Sequence, residues 1–223
     1  MQFLYHEKAG EERIVIEGES FTHLFKSRRS SAKKPLKVCN LRDKFLYLYE
    51  IISINRRAAE CVLIKKNVLE NKTQKPLWIA WSVVEPKVVE KTLPFLNEIG
   101  VQKVIFVYTK FSQRSFTIDI ARLKRIVINS CEQCGRYDIM DFEIIGSLEE
   151  FTQKYDNFAV VDFSPNRLSD IKNPPYIWFV GCEAGFSEEE RQMLKNRPVI
   201  GFDSRNILKS ESAVMAIGVK ILL

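Results

Sequence analysis

With 223 residues, the chain is long enough to bury one large hydrophobic core or two small ones. Its 46% hydrophobic and 28% charged residues are typical of a globular protein, and no apolar run approaches the ~20 residues that a membrane span requires. The first residues lack the apolar core of a signal peptide, so we expect a cytoplasmic protein. The five cysteines, an odd number without metal-site grouping, indicate reduced thiols rather than a disulfide framework.

The net charge of +6 is concentrated in the first third of the chain. Residues 1–71 hold 14 Lys/Arg and 9 Asp/Glu, whereas the remaining residues hold 20 and 19. The segment 22–44 alone contains eight basic residues and one acidic residue. Such an excess favours a phosphate-backbone partner, because each neutralised phosphate releases counterions. A solvated basic loop explains the same pattern equally well, so the charge leaves both interpretations open.

The first 66 residues predict a small closed β-barrel. Short β-branched or aromatic runs, separated by polar turns, indicate several strands at the spacing of a barrel. One or two helical turns interrupt them at 19–29, where Phe21, Leu24 and Phe25 share a face. The predicted strands are 13–16, 36–39, 45–54 and 58–64.

The polar, non-periodic stretch 65–76 predicts a boundary between a domain 1–71 and a domain 72–223. After it, strands and helices alternate, which predicts a mostly parallel sheet with helices on both faces. Pro86 in the first turn and Gly100 just past the end delimit one of these helices. The predicted strands are 77–82, 104–108, 142–145, 158–161 and 177–180, and the predicted helices are 86–99, 119–134 and one that opens at 207–213.

The turn after the strand 177–180 is a candidate ligand site. Gly181 and Gly185 allow a ligand to approach the backbone, and the turn lies at the carboxyl end of a predicted parallel strand, where open α/β sheets bind ligands. Ser187 and Glu190 form a predicted capping box for the next helix. Asp162, which ends another strand, could reach the same ligand or cap a turn. A plain strand–helix junction that needs glycine explains the turn as well, and is the commoner case.

Other cofactor and catalytic chemistry finds little support. None of the nine glycines is spaced G-x-G, so there is neither a dinucleotide fingerprint nor a phosphate-binding loop. Cys131 and Cys134 fall within one predicted helix without a second pair, which argues against zinc. The only histidines, His6 and His23, lie in the predicted barrel, so we expect no histidine-dependent triad.

Six fragments follow one another along the chain: HLFKSRR at 23–29, EIGV at 98–101, RS at 114–115, EQCGR at 132–136, GCEAGFS at 181–187 and ILKSESA at 207–213. They resemble, in the same order, the motifs H-L-x-x-V-L-R, E-L-G-V, R-S, E-Q-S-x-R, G-P-E-G-G-F-S and I-L-R-x-E-T-A. These are motifs of the RsmE family of small-subunit ribosomal RNA methyltransferases, within the SPOUT superfamily. Each fragment is weak alone, but the shared order makes the resemblance specific.

The resemblance implies an N-terminal PUA-like β-barrel that holds RNA and a C-terminal SPOUT α/β domain with a deep trefoil knot. It further implies a homodimer, with the active site at the subunit interface, that methylates N3 of one uridine in 16S rRNA of the small ribosomal subunit. S-adenosylmethionine is the implied cofactor, and no metal is expected. The implied cofactor-binding residues are Gly181, Glu183, Gly185, Ile200, Phe202, Asn206, Ile207, Leu208 and Glu211, and the implied RNA-binding residues are His23, Lys26, Arg28, Arg29, Lys33 and Lys34.

Arg114 and Arg136 are the candidate catalytic residues. Uridine N3 must lose a proton before it can accept a methyl group, and a nearby cation stabilises the oxyanion that develops on O2 and O4. We therefore expect both arginines to position the RNA and to assist this deprotonation. Glu183 and Glu211 lie near the expected pocket, but no carboxylate stands out as the base.

The chain departs from the family motifs where the cofactor should bind. Cys182 and Ala184 replace a proline and a glycine of G-P-E-G-G. The family's L-G-x-R before I-L-R falls on 203–206 if no gap is allowed. Alternatively Ile200 and Gly201 are the L-G, with three extra residues after them. Lys209, where the family has arginine, keeps the charge but loses a bidentate fork.

Two other functions remain open. A SPOUT methyltransferase could act on tRNA or on a ribose 2′-hydroxyl, although the segment 23–29 in front of a barrel argues against it. The chain could also be a non-catalytic RNA-binding or ribosome-assembly protein whose altered turns no longer hold the cofactor. Calorimetry distinguishes this non-catalytic protein, which would not bind S-adenosylmethionine, from a methyltransferase, which would.

Overall fold

The computed structural model describes residues 1–27, 34–69 and 75–223, and it consists of two units. Unit 1 comprises Met1–Lys72 and Ile128–Ile139, and unit 2 comprises Thr73–Val127 and Met140–Leu223. The segment 128–139, which the sequence places in the second predicted domain, groups with the N-terminal residues because its backbone contacts them. Gln2 N donates to Glu132 O at 2.7 Å, and Tyr5 N donates to the Glu132 side chain at 2.7 Å.

Unit 1 contains a five-stranded sheet in the order β1-β3-β4-β5-β2. The strands are β1 Leu4–Tyr5, β2 Arg13–Glu17, β3 Leu36–Cys39, β4 Phe45–Ile54 and β5 Ala58–Val68. The four predicted strands are confirmed, with β5 longer than expected; β1, only two residues long, was not predicted. Two register shifts between β4 and β5 mark bulges, which increase the local twist of a sheet.

This sheet is a half-barrel rather than the closed barrel that the sequence predicts. In the described part of the chain β1 pairs only with β3 and β2 only with β5, so no ladder joins the two edges. The helical turn expected at 19–29 is α1, Gly18–Phe21, followed by a π-helical turn Thr22–Ser27. Phe21 and Leu24 are buried against the concave core of the sheet, as their shared face predicts.

Unit 2 is built on a six-stranded sheet of parallel strands in the order β11-β9-β10-β6-β7-β8. The strands are β6 Trp78–Ser82, β7 Lys103–Val107, β8 Asp141–Ile145, β9 Phe158–Val161, β10 Ile177–Val180 and β11 Val199–Ile200. The helices are α2 Pro86–Ile99, α3 Ile120–Cys134, α4 Leu148–Lys154, α5 Glu188–Leu194 and α6 Ser210–Leu222, and the part of α3 from Ile128 onward belongs to unit 1. The predicted parallel sheet is thereby confirmed, and α4, which is short, is an addition to it.

Alternating side chains of the strands bury the two faces of this sheet against different helices. Ala80 and Phe179 belong to a core that also contains Phe151 of α4 and Leu194 of α5. On the other face, Trp81 bonds to the first residue of α6, and α6 packs against α2. Helices therefore cover both faces, as predicted. No helix in the described ranges is long and apolar enough to cross a bilayer.

A partly exposed ion cluster around Glu143 stabilises the edge of the sheet formed by β8. Glu143 of β8 accepts hydrogen bonds from Lys103 Nζ at 2.5 Å, Lys154 Nζ at 2.7 Å and the Tyr155 hydroxyl at 2.8 Å. Burial alone would raise the pKa of this carboxyl, but the three donors outweigh it and hold the pKa at about 2. The cluster therefore stabilises the edge as long as Glu143 is ionised.

Candidate functional site

A cavity of about 670 Å³ lies in unit 2 at the carboxyl ends of β9, β10 and β11. These three strands are neighbours in the sheet, so the loops that leave them meet at one edge. This is the place where open α/β sheets bind ligands. The segments that line the cavity are 161–165 with Arg167, 180–185 with Arg191, and 201–202, 204–208, Ser210 and Ala213.

The turn after β10 forms one wall, and its two glycines are required by its geometry. A Cβ on Gly181 would lie 3.1 Å from the Gly185 Cα, and Gly185 itself has a φ of +69°. Gly185 N donates to Cys182 O at 2.9 Å, which closes the turn. Burial raises the pKa of the Cys182 thiol, so this residue stays protonated and packs as a small apolar side chain.

The opposite wall is built around Gly201, which follows β11. A Cβ there would lie 2.7 Å from Ser164 O and 3.2 Å from Ser164 N, so only glycine fits. Gly201 N donates to Asn166 O at 2.8 Å, and Leu168 N donates to Gly201 O at 3.1 Å. Ser204, by contrast, is exposed and carries its side chain without conflict. The geometry thus places the required glycine at Gly201, in agreement with the gapped register.

The start of α6 lines the cavity and is joined to the turn after β10 by a buried relay, that is, two consecutive hydrogen bonds from Trp81 through Ser210 to Gly181. Trp81 Nε1 of β6 donates to Ser210 Oγ at 2.7 Å, and Ser210 Oγ donates to Gly181 O at 2.5 Å. All three residues are buried. The relay therefore fixes the first residue of α6 against the turn that forms the first wall.

Charged side chains at the cavity are paired across its loops. Asp162, 13% exposed, accepts from Arg191 Nε at 3.0 Å, and this hydrogen bond raises the pKa of the guanidinium. Arg167 donates to Phe202 O at 3.0 Å and lies 3.5 Å from Asp203. These pairs tie the loop after β9 to α5 and to the loop after β11. The cavity is therefore a cleft lined by side chains of both charges.

Seven of the nine predicted cofactor-binding residues line this cavity: Gly181, Glu183, Gly185, Phe202, Asn206, Ile207 and Leu208. Ile200 does not, because it is buried in β11 and Gly201 takes its place at the surface of the cavity. Glu211, in the first turn of α6, is not among the lining residues either. Its Oε2 is buried and accepts no hydrogen bond from the described residues.

Arg114 lies in unit 2, in the loop 108–119 between β7 and α3. Its side chain is exposed, Nη1 donates to Gly146 O at 3.1 Å, and the guanidinium lies 5.4 Å from the centre of the Tyr108 ring. The loop itself is ordered by a Tyr108 hydroxyl that donates to Phe116 O at 2.6 Å. These contacts place the Arg114 guanidinium beside Gly146 and Tyr108, and they use one of its five N–H groups.

Arg136 belongs to unit 1. Its Nη2 lies 2.8 Å from Asp138 Oδ2, and its side chain is 10% exposed. Gly135, just before it, has a φ of +85° and ends α3, as the sequence predicts. The ion pair holds the guanidinium in place beside this helix end.

The predicted RNA-binding residues are described only in part. His23 and Lys34 are exposed. Lys26 lies in the π-helical turn, where only its backbone is described. Arg28, Arg29 and Lys33 lie outside the described residues. Of the six predicted RNA-binding side chains, the structure therefore places two, His23 and Lys34, in contact with solvent.

Several residues of the cavity were not among the predicted site residues. Asp162 carried a signal, since it ends a strand that was predicted. Ser210 lies within the motif 207–213, but at its variable position. No sequence motif includes Arg167 or Arg191, and their contacts join residues 29 and 36 positions apart in the chain. Within the described ranges, no group of three or more His, Cys, Asp or Glu side chains could hold a metal ion.

Comparison with known proteins identifies the family to which the chain belongs. Residues 70–221 match the RNA methyltransferase domain family. The ribosomal RNA small subunit methyltransferase E of Helicobacter pylori strain 26695 is 42% identical over 216 residues, which cover 96% of each chain. The enzyme of the same name from Buchnera aphidicola is 23% identical over 92% of this chain and 88% of its own.

Solved structures share the fold over nearly the whole chain. The ribosomal RNA small subunit methyltransferase E of Neisseria gonorrhoeae, solved with S-adenosylmethionine, has a TM-score of 0.79 at 18% identity and covers 98% of this chain and 95% of its own. A putative methyltransferase of Legionella pneumophila, solved with the same cofactor, has a TM-score of 0.82 at 18% identity, with 98% and 96% covered.

Proposed function

The chain belongs to the RsmE family of ribosomal RNA small subunit methyltransferases, and we propose that it transfers a methyl group from S-adenosylmethionine to N3 of one uridine in 16S rRNA. The observation that carries the proposal is the cleft at the ends of β9, β10 and β11, whose walls need glycine at Gly181 and Gly201. Glycine at both positions lets the loops that line the cleft pack directly against one another, which gives the cleft its shape.

The residues of the cleft fit this cofactor. A volume of about 670 Å³ lies within the range of roughly 300–1,000 Å³ that is usual for cofactor sites. The backbone of the turns at Gly181 and Gly201 would hold the adenosine, with Ile207 and Leu208 as its apolar contacts. The carboxylates of Asp162 and Glu183 face the same cleft and suit the positive charges of the cofactor.

When bound, S-adenosylmethionine supplies an electrophilic methyl group whose leaving group departs neutral. The protein must therefore align the uridine and help it lose the N3 proton, and alignment alone can lower a barrier by about 7–11 kcal/mol. Arg114 is exposed and fixed by Gly146 and Tyr108, so its guanidinium is pre-positioned to stabilise the oxyanion on O2 or O4. We assign the same role, or that of an RNA-positioning residue, to Arg136.

The remaining features of the proposal concern domains and assembly. We infer that residues 1–71 form a PUA-like RNA-binding domain, in which His23, Lys26, Arg28, Arg29, Lys33 and Lys34 contact RNA. Residues 72–223 form a SPOUT domain with a deep trefoil knot that works as a cytoplasmic homodimer, with the active site at the subunit interface. The curled N-terminal sheet and the close packing of the segment 201–210 against the loops after β9 and β10 support this arrangement.

The decisive experiment is methylation of small ribosomal subunits from a strain that lacks this gene. With labelled S-adenosylmethionine, we expect one methyl group per subunit, located by mass mapping at N3 of a uridine in 16S rRNA. Methyl transfer to tRNA or to a ribose 2′-hydroxyl would replace the proposed substrate by another RNA. Absence of cofactor binding in calorimetry at millimolar concentration would instead favour a non-catalytic RNA-binding protein.

Two further measurements test the assembly and the RNA-binding surface. Light scattering coupled to gel filtration should give the mass of a dimer, and a monomer would contradict the interface assignment. Affinity for the RNA should fall steeply between 50 mM and 200 mM salt, because basic side chains release counterions on binding. Salt-independent affinity would argue against the basic segment as the contact.

A further inference from the structure

Glu190 of α5 is a buried carboxylate that joins two loops at the carboxyl edge of the sheet. It is 6% exposed. Oε2 accepts from Ser187 N at 2.9 Å, which is the reciprocal bond of the predicted capping box. Oε1 accepts from Lys110 N at 2.7 Å, in a loop 80 residues earlier in the chain. A capping box needs only the first of these bonds, so the second requires another explanation.

The two loops that Glu190 joins are those that carry the cofactor wall and Arg114. Ser187 directly follows the turn 181–186, of which residues 181–185 line the cleft. Lys110 lies within a turn closed by Ser112 N, which donates to Thr109 O at 3.1 Å. Arg114 follows two residues after that turn. A single carboxylate therefore connects the backbone of the cleft to the backbone of the loop that presents Arg114.

The chemistry of the contact requires a carboxylate rather than an amide. Each of the two oxygens accepts one backbone N–H, and an ionised carboxylate is an acceptor on both sides. Glutamine at this position has one acceptor oxygen, and its NH₂ group would face a second N–H donor. One of the two bonds would then be lost with almost no change in volume. Burying an ionised carboxylate without hydrogen-bond donors costs folding free energy, so Glu190 is stable at this position because both backbone N–H groups bind it.

We propose that Glu190 is a positioning residue that couples cofactor binding at the turn 181–186 to the orientation of Arg114. This inference rests on the proposed function. Cofactor binding restricts the motion of the turn, and Ser187 and Glu190, which follow it, are restricted as well. Because Glu190 also binds Lys110 N, the loop 108–119 becomes less mobile at the same time. Coupling of this kind is reciprocal, so the state of the loop also changes the affinity of the turn for the cofactor.

Hydrogen exchange of the whole protein tests the coupling without an activity assay. In the wild type, S-adenosylmethionine should slow exchange both in the peptide that contains 181–187 and in the peptide that contains 108–114. In Glu190→Gln it should slow only the first. Glu188→Gln removes an exposed carboxylate at the first residue of the same helix and should behave as the wild type. Protection of 181–187 without protection of 108–114 in the wild type would overturn the inference, even if Glu190→Gln failed to fold.

Kinetics of the double variant test the link to Arg114. Glu190→Gln should lower kcat roughly 10- to 100-fold, as misplacement of an aligned group does, with little change in the affinity for RNA. In an Arg114→Ala background the same substitution should change kcat less than about threefold, because the group that it positions is gone. Multiplicative losses in the double variant would refute the coupling. A wild type that methylates no RNA would refute the proposed function instead.

Discussion

Replacement of Ser210 by alanine tests the relay that fixes α6 to the wall of the cleft. The substitution removes one oxygen and leaves the shape of the buried site nearly unchanged. Two buried groups lose their hydrogen-bond partner. In the wild type, Trp81 Nε1 lies 2.7 Å from Ser210 Oγ, and the Gly181 carbonyl oxygen lies 2.5 Å from it. An unsatisfied buried donor costs about 1–3 kcal/mol and an orphaned carbonyl somewhat less, so we expect a total loss of about 2–3 kcal/mol.

For a chain of 223 residues this loss corresponds to a fall in Tm of roughly 4–12 °C. Thermal unfolding followed by circular dichroism measures it, and calorimetry should show weaker binding of S-adenosylmethionine. Ser212→Ala, two positions further along the same helix, is the matched control and should change stability by less than about 0.5 kcal/mol.

A double-variant cycle identifies the bond that is responsible. In a Trp81→Phe background no indole N–H remains to be orphaned, so Ser210→Ala should cost about 1 kcal/mol less than in the wild type. Equal costs in both backgrounds, or a Ser210→Ala variant as stable as the wild type, would refute the reasoning.

Three further predictions follow from other parts of unit 2. Gly201→Ala should destabilise the protein by about 1–3 kcal/mol and weaken cofactor binding in calorimetry, because its Cβ would lie 2.7 Å from Ser164 O; an unchanged Tm and affinity would contradict this packing. The pKa of Glu143 is about 2 in the folded state and 4.5 in the unfolded chain, so its contribution of about 3 kcal/mol is complete above pH ~4.5 and is lost as the pH falls through about 2. Urea unfolding of Glu143→Gln at pH 7 and pH 3 should therefore show a flatter acid dependence than the wild type, and parallel curves would be inconsistent with the cluster. Arg114→Ala should lower kcat roughly 100- to 1,000-fold with near-normal RNA affinity, and Arg114→Lys should restore part of it, whereas full activity of the alanine variant would remove Arg114 from the mechanism.

Local elements of the second unit were predictable because short-range physics determines them. Helix α2 begins at Pro86 and ends before Gly100, whose φ is +100°, as the two residue types indicate. The capping box at Ser187 is confirmed for the same reason. Strand β1 and helix α4 were missed because two and seven residues carry too little periodicity. In unit 1, the sequence predicts a closed barrel, but the sheet is a half-barrel. The spacing of strands along the chain does not determine whether the two edges of the sheet meet.

The candidate site was predictable as a set of turns but not as an arrangement of side chains. The glycine-bearing turn 181–186 and the segment 207–213 follow from motif order alone. The sequence alone could not decide whether Ser204 or Gly201 takes the place of the glycine in the family's L-G-x-R motif. A Cβ on Gly201 would lie 2.7 Å from Ser164 O, so the fold requires glycine at this position, and that requirement depends on a loop 37 residues away.

The sequence by itself determined the alternating strands and helices, the helix ends and the family, because each depends on residues close together in the chain or on the order of motifs. Only the tertiary structure decided the strand order that brings β9, β10 and β11 together. It also decided the relay from Trp81 through Ser210 to Gly181 and the bond from Glu190 to Lys110. These contacts join residues 29 to 129 positions apart, and no local pattern encodes a hydrogen bond whose two partners meet only after the sheet has formed.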